Sequence, residues 1–289
     1  MRVVVTGAEG HLGRVVVARL RDERVDVVRV DRRIAGPLDE LTREVDLCDL
    51  GHVYGALAGA DADAVVHLGA IPWPVGRPPE VVYANNVVGQ FNMCEAAATL
   101  GIRRLVSASS VSALGFPFQH RRSEPLYLPI DEEHPLLPQD AYGLSKANGE
   151  EIVAAYCRRG AGSAASLRFP TILNAALYQD FIGDVRADPG GSARYLWSYI
   201  DARDAAEACV LALTAPFDGH QPLYVAADDT TSDLPTDTLL DRYYPAAQRR
   251  WPAGNAAAYR SLLVTGRATD LLGFRPRYSW RSPTGMPVT

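Results

Sequence analysis

The chain has 289 residues, 47% of them hydrophobic and 22% charged, with a formal net charge of −5, which suits a folded chain with a sizeable core and excludes a disordered one. The acidic balance offers no general attraction for nucleic acid or for an anionic membrane surface, and no apolar run is long enough to span a bilayer. Cys48, Cys94, Cys157 and Cys209 are widely scattered and the six histidines show no metal-binding spacing, so the expectations are a reduced cytoplasmic protein with no secretory leader and no bound metal.

The first predicted strand, residues 2–5, runs into TGAEGHLG and then a predicted helix over 12–22. Strand, glycine turn and helix in that order form the layout of a dinucleotide-binding turn. Gly7 permits the bend, Gly10 lets the backbone approach a pyrophosphate, and Gly13 allows close helix packing, with the helix N-terminus facing the phosphates. The plain alternative is a glycine-rich turn without a ligand. Against it, Asp31 closes the second apolar strand, 25–30, where a carboxylate accepts hydrogen bonds from an adenosine ribose. That carboxylate repels the additional phosphate of NADP, whereas Arg32 and Arg33 could pair with it; NAD is favoured and NADP stays open.

Further apolar strands are predicted over 64–68, 104–107 and 165–168, with amphipathic helices over 81–100 and 142–159. This βα alternation predicts an α/β fold, a doubly wound parallel (Rossmann) sheet covered on both faces with its ligand at the carboxyl ends of the strands. After about residue 169 the pattern loosens, and a helix over 202–213 rejoins the main sheet. The expected division is a dinucleotide-binding domain of 1–169 plus about 194–216, and a small discontinuous C-terminal substrate domain of about 170–193 plus 217–289. The Pro- and charge-rich insertion over 115–140 reads as an active-site loop.

Tyr142 and Lys146 lie four apart in DAYGLSKANGE, which puts both side chains on one helix face. A phenol is a poor acid-base catalyst at neutral pH, and a neighbouring ammonium favours its phenolate. The strand RLVSASS brings Ser109 and Ser110 to the carboxyl edge of the sheet. A hydroxyl there could hold the oxygen that Tyr142 protonates or deprotonates, or could simply cap its own backbone.

With TGAEGHLG, Asp31, VDLCDL, VVHLGA, NNVVGQFNMCEAA, SSVSALG, YGLSK and YIDARDAAEA in this order, residues 1 to about 215 resemble the extended short-chain dehydrogenase/reductase (NAD-dependent epimerase/dehydratase) family, as does the ending LLGFRPRYSW. The resemblance implies that Gly7, Gly10 and Gly13 contact the pyrophosphate, that Asp31 binds the ribose, and that Asp46 and Leu47 border the adenine. His11, Leu12, Arg32, Leu68, Gly69 and Ala70 also line the cofactor. It implies Tyr142 as the acid-base residue and Lys146 as a ligand of the nicotinamide ribose that lowers the Tyr pKa. Ser110 is the partner hydroxyl, with Ser112 as a less favoured substitute, and Asn86 anchors the backbone nearby.

Departures narrow the activity. Where family dehydratases carry Asp-Glu, this chain has Val111 and Ser112, which disfavours dehydration. The tyrosines typical of nucleotide-sugar members are replaced by Leu114 before Gly115 and by TILNAAL after Pro170. The chain is more similar to members that oxidise free sugars, uronate dehydrogenases in particular, in its Ala108-Ser109-Ser110, Tyr142 to Lys146 and Arg194-Tyr195-Leu196 pieces. Arg194 could pair with a substrate carboxylate or phosphate, or form a salt bridge to Asp201 or Asp204. Trp73 and Trp197 could stack on a sugar ring or pack in the core. The expected function is an NAD(P)-dependent oxidoreductase of a secondary alcohol or carbonyl in a sugar or nucleotide sugar. The alternatives are a redox-neutral epimerase that retains its NAD and a non-catalytic NAD(P) sensor. Related enzymes pair the helices corresponding to 81–100 and 142–159, so a homodimer is expected.

Overall fold

In the computed structural model, which describes residues 1–35, 39–251 and 257–282, the strands are β1 (Arg2–Thr6), β2 (Asp26–Asp31), β3 (Thr42–Glu44), β4 (Ala64–His67), β5 (Arg104–Ser110), β6 (Tyr127–Leu128), β7 (Ser163–Phe169), β8 (Thr171–Leu173), β9 (Tyr199–Asp201), β10 (His220–Tyr224) and β11 (Gln248–Arg249). The helices are α1 (His11–Asp22), α2 (Leu50–Ala60), α3 (Pro79–Thr99), α4 (Ala141–Arg158), α5 (Ala175–Ala187), α6 (Ala202–Thr214), α7 (Thr236–Tyr243) and α8 (Gly266–Leu272).

A seven-stranded sheet runs in the order β10-β7-β5-β4-β1-β2-β3, and every pairing is parallel. The strands are short and apolar because side chains alternate between two buried faces. Val3, Val5, Val66, Val106 and Leu167 pack under α1 and α6. Val4, Val28, Val65, Leu105 and Ala164 pack under α2, α3 and α4. From β1 the chain winds outward through β2 to β3, then returns to β4 on the other side of β1. The gap between the β1 and β4 carboxyl ends is therefore the topological switch point, where a ligand binds in folds of this kind.

A third apolar cluster begins where β5 ends. Leu114, Phe116, Leu128 and Ile130 meet Trp197, Leu240, Tyr244 and Leu262. The insertion over 115–140 is tied into it by the β6–β11 pair and by Ile130, whose N–H donates to the Leu262 carbonyl at 2.8 Å.

Two features depart from the expected layout. The loose stretch after residue 169 contains α5, a 13-residue helix whose Ala176 N–H is capped by the Asn174 side chain at 3.0 Å. Residues 220–224, expected in the smaller unit, form the sheet strand β10, and Leu272 and Phe274 close the main core. The β10 sequence HQPLY has only its last two residues buried, so it lacks the apolar run by which the other strands were recognised.

Candidate active site

The turn after β1 is shaped by contacts that leave no room for side chains. Gly7 sits at φ +66, and a Cβ there would lie 2.8 Å from Gly69 N; at Gly13 a Cβ would lie 2.0 Å from Gly7 O. The turn is thus pressed between the β4 loop and α1. Gly10 is the N-cap of α1 with no side-chain capping bond, whereas α2, α4, α5 and α6 are capped by Asp49, Asp140, Asn174 and Asp201. An uncapped N-terminus beside a glycine cradle suits an anionic group. His11 is exposed there and hydrogen-bonded to Asn174 at 3.0 Å, while Leu12 points into the core.

Asp31, at the end of β2, is held by two backbone N–H groups, Glu9 at 2.9 Å and Arg32 at 2.7 Å. The Arg32 guanidinium is turned away to Asn85 Oδ1 at 2.8 Å. Leu47 packs against the Cα of Gly69, where a Cβ would come within 2.5 Å of its methyl group. Asp46 is exposed and accepts from Cys48 N at 3.0 Å. Gly7, Asp31, Leu47 and Gly69 therefore come to one edge of the sheet from separate stretches of chain, while Leu68, Gly69, Ala70, Asn86 and Lys146 line one small cavity beside the ends of β4 and β5, under α3 and α4.

Thr6 Oγ1 accepts from Leu68 N and Gly69 N, both at 3.1 Å, and lies 2.8 Å from His67 Nδ1. With two donors already on the oxygen, the threonine proton goes to His67, which must be neutral at Nδ1. Burial pushes the His67 pKa down to about 3, and the Lys146 charge acts in the same direction.

Tyr142 opens α4, where Asp140 Oδ1 caps Tyr142 N and Gly143 N at 2.9 Å each. Gly143 fits closely: a Cβ there would lie 2.5 Å from Ser112 O. Ser110, the last residue of β5, accepts from Ser112 N at 3.0 Å. The Ser110 side chain thereby caps the short turn that follows β5. Burial pushes the Tyr142 pKa up to about 12, and the hydrogen bond with Ser110 opposes that rise. Lys146 Nζ donates to Ala108 O at 2.8 Å and stands 5.8 Å from the Tyr142 ring centroid, with its own pKa pushed down to about 8 by burial. Burial dominates both groups in the protein by itself, raising the phenol and lowering the ammonium.

Asn86 does anchor backbone. It accepts from Ile71 N at 2.8 Å, donates to Ile71 O at 3.0 Å, and reaches Ser145 Oγ at 3.1 Å. Ser145 in turn donates to Tyr142 O at 2.7 Å, so the β4 loop and the first turn of α4 share one set of bonds.

Beside Tyr142 stands an aromatic wall. Phe118 meets Tyr142 edge-on at 6.2 Å and Tyr195 edge-on at 6.2 Å, and Arg194 lies over the Tyr195 ring at 4.9 Å. Arg194 is exposed and makes no salt bridge to Asp201 or Asp204. Asp201 is taken by Arg203 at 2.8 Å, and Asp204 accepts from the backbone of Arg277 and Tyr278. Trp73 is 58% exposed on the loop after β4, which removes the core reading for it. Trp197 is buried against Tyr243 and Tyr244, with Nε1 donating to Pro189 O at 2.8 Å, which removes the sugar-stacking reading.

Sequence reasoning missed Phe118, Asp140, and the buried pair Glu150–Arg168 behind the site. One signal was available: Lys146 is the only lysine in the chain. Every other cationic side chain is arginine, apart from the histidines, and lysine is the one whose charge burial can tune.

The family model described as NAD dependent epimerase/dehydratase family matches residues 3–227. The uronate dehydrogenase of Pseudomonas putida is 30% identical over 235 residues, covering 80% of this chain and 78% of that protein. An L-arabinose 1-dehydrogenase (NAD(P)(+)) of Haloferax volcanii is 29% identical, covering 96% of each. A short-chain dehydrogenase/reductase superfamily protein from Agrobacterium tumefaciens, solved with bound NAD, matches with a TM-score of 0.73 at 25% identity, covering 96% of this chain and 93% of that one.

Proposed function

Since the chain belongs to the NAD dependent epimerase/dehydratase family, we propose that it is an NAD-dependent dehydrogenase that oxidises a hydroxyl-bearing carbon of a free sugar, a uronate or aldose, by way of Ser110, Tyr142 and Lys146. The observation that carries the reading is that Tyr142 and Lys146 share one face of α4 against the carboxyl end of β5, where Lys146 Nζ donates to Ala108 O two residues before Ser110.

The residues fit the cofactor. The cradle at Gly7 and Gly13, which any Cβ would fill, and the uncapped α1 suit a pyrophosphate. Asp31 stands where a ribose would hydrogen-bond, and with Arg32 engaged by Asn85 the balance falls to NAD over NADP. Bound NAD supplies a hydride acceptor and a positive charge that favours the phenolate. Ser110 holds the substrate hydroxyl, Tyr142 takes its proton as the hydride leaves the same carbon, and Lys146 keeps positive charge beside the phenolate. Asn86 fixes the loop and helix that carry these groups. The exposed Arg194 on the aromatic wall suits a substrate carboxylate.

The two-unit division stays part of the proposal, with β10 and α8 moved to the cofactor-binding unit. The chain would pair through α3, where Val81, Val88 and Phe91 form one exposed stripe, and Leu144 of α4. No helix among the described residues is long and apolar enough to cross a membrane. The four cysteines are unpaired, which suits a reducing cytoplasm.

The test is NADH formation from added NAD with a panel of uronates, aldoses and nucleotide sugars, together with the nucleotide released on denaturation. Sustained NADH from a free sugar supports the proposal. Tightly retained NAD with interconversion of nucleotide sugars and no NADH overturns it in favour of an epimerase.

A further inference from the structure

We propose that Glu150 is a positioning residue for this reaction: its carboxylate, clamped by Arg168 and Ser109, is the fixed counter-charge that keeps the Lys146 ammonium charged within the protein. The proposal rests on the role assigned to Lys146 above.

Tyr142, Lys146 and Glu150 follow one another at a stride of four along α4, which stacks their side chains on one face. Lys146 and Glu150 also line the same small polar cavity, with Gln90, Ser107 and Ser166 around them. They do not close on each other. Ser109 Oγ donates to Glu150 Oε1 at 2.5 Å, Arg168 Nε donates to Oε1 at 2.9 Å, and Arg168 Nη2 donates to Oε2 at 2.8 Å. Both partners of that ion pair are nearly sealed from solvent, with 5% and 7% of their side chains exposed. The ammonium instead donates to the neutral carbonyl of Ala108.

This division of contacts decides what each group does. A free carboxylate one turn beyond a lysine folds onto it and draws the ammonium away from the first turn of the helix. Here both carboxylate oxygens are held from β5 and β7, so the charge acts across the cavity while Lys146 stays directed to Ala108, next to Ser109 and Ser110. Among the described residues, the remaining charged or titratable groups around the cavity offer no other anion. His67 on β4 is neutral and bonded to Thr6, Tyr142 keeps its proton, His220 on β10 is bonded to Ser166, and Arg168 is a cation. Burial lowers the lysine and Glu150 is what opposes it.

Because Lys146 is the only lysine, full-length protein grown with nitrogen-15 lysine gives a single side-chain signal, and its titration by NMR reads Lys146 directly. Glu150→Gln should lower the Lys146 pKa by about one or more and move the alkaline fall of turnover down by the same amount, with Glu150→Asp restoring part of both. An unchanged titration in folded Glu150→Gln overturns the proposal. If that variant does not fold, because Arg168 is left buried without its anion, the double variant Glu150→Gln with Arg168→Gln removes both charges. A smaller fall is expected there, because the Arg168 cation that also disfavours the ammonium is lost with it, and no fall overturns the proposal. Lys146→Met keeping wild-type turnover would instead overturn the underlying role of the lysine, whatever Glu150 does to its titration.

Discussion

Replacing Gly7 with alanine puts a number on how tightly the turn is built. At φ +66 an L-residue is in the left-handed region, which costs roughly 1–2 kcal/mol. The new methyl would lie 2.8 Å from Gly69 N and 2.9 Å from Gly69 Cα and Leu68 C. These are backbone atoms of the β4 loop that cannot swing aside, and overpacking of this kind costs about 1–3 kcal/mol more. The expected loss is therefore about 2–5 kcal/mol, a large share of the roughly 5–15 kcal/mol that holds a domain together. At about 2–4 °C per kcal/mol for a chain somewhat smaller than this one, thermal unfolding followed by circular dichroism should move down by about 4–20 °C. Gly55→Ala is the matched control. It lies in α2 with nothing within 4 Å of its added methyl, and should stabilise by about 0.5–1 kcal/mol. NAD affinity, measured calorimetrically, should fall only for Gly7→Ala. A Gly7→Ala protein that melts with the wild type and binds NAD unchanged would show that the cradle is not sterically closed.

Tyr142→Phe should bind NAD as the wild type does while turnover falls by about 100-fold or more; retained turnover in steady-state assays removes Tyr142 from the chemistry. Arg194→Met should raise KM for uronates and leave neutral aldoses unchanged, and equal effects on both substrate classes would end its role as a carboxylate ligand. His67 predicts acid sensitivity. Its folded pKa is depressed from 6.5 to about 3, so its contribution to stability is complete above 6.5 and is lost as pH falls toward 3, by about 2 kcal/mol at pH 5. Denaturant titrations at pH 7 and pH 5 on wild type and His67→Gln should show a smaller acid loss in the variant, and parallel losses would refute the assignment.

The glycine turn, the central strands and the pairing of Tyr142 with Lys146 on one helix face were legible because each is a local pattern, a bend, a period of two, a stride of four, whereas only the family resemblance singled out Ser110 from Ser109. Arg194 was singled out but its neighbours were not, because Phe118 reaches Tyr195 from an insertion whose path depends on packing against Leu239, Leu240, Tyr244, Leu262 and Leu263. β10 was hidden by its polar, Pro-containing sequence, and became a strand only because β7 offered it an open edge. Glu150 and Arg168 were passed over since charged residues on a helix and a strand ordinarily face water. That these two are buried follows from each supplying the other's partner, which no single stretch of sequence displays.

The ladder of Tyr142, Lys146 and Glu150 makes α4 a measuring rod that tolerates substitution far better than a change of count. Removing one residue between Lys146 and Glu150 rotates everything beyond it by about 100° around the axis, carrying the carboxylate out of reach of Ser109 and Arg168 while leaving every residue type in place. In the insertion over 115–140 a deletion is absorbed only in exposed stretches such as 120–122, because Phe116, Leu128 and Ile130 are held in the third cluster. The exposed stretch 120–122 can therefore change in length, whereas α4 keeps its ladder only when one side chain is exchanged for another.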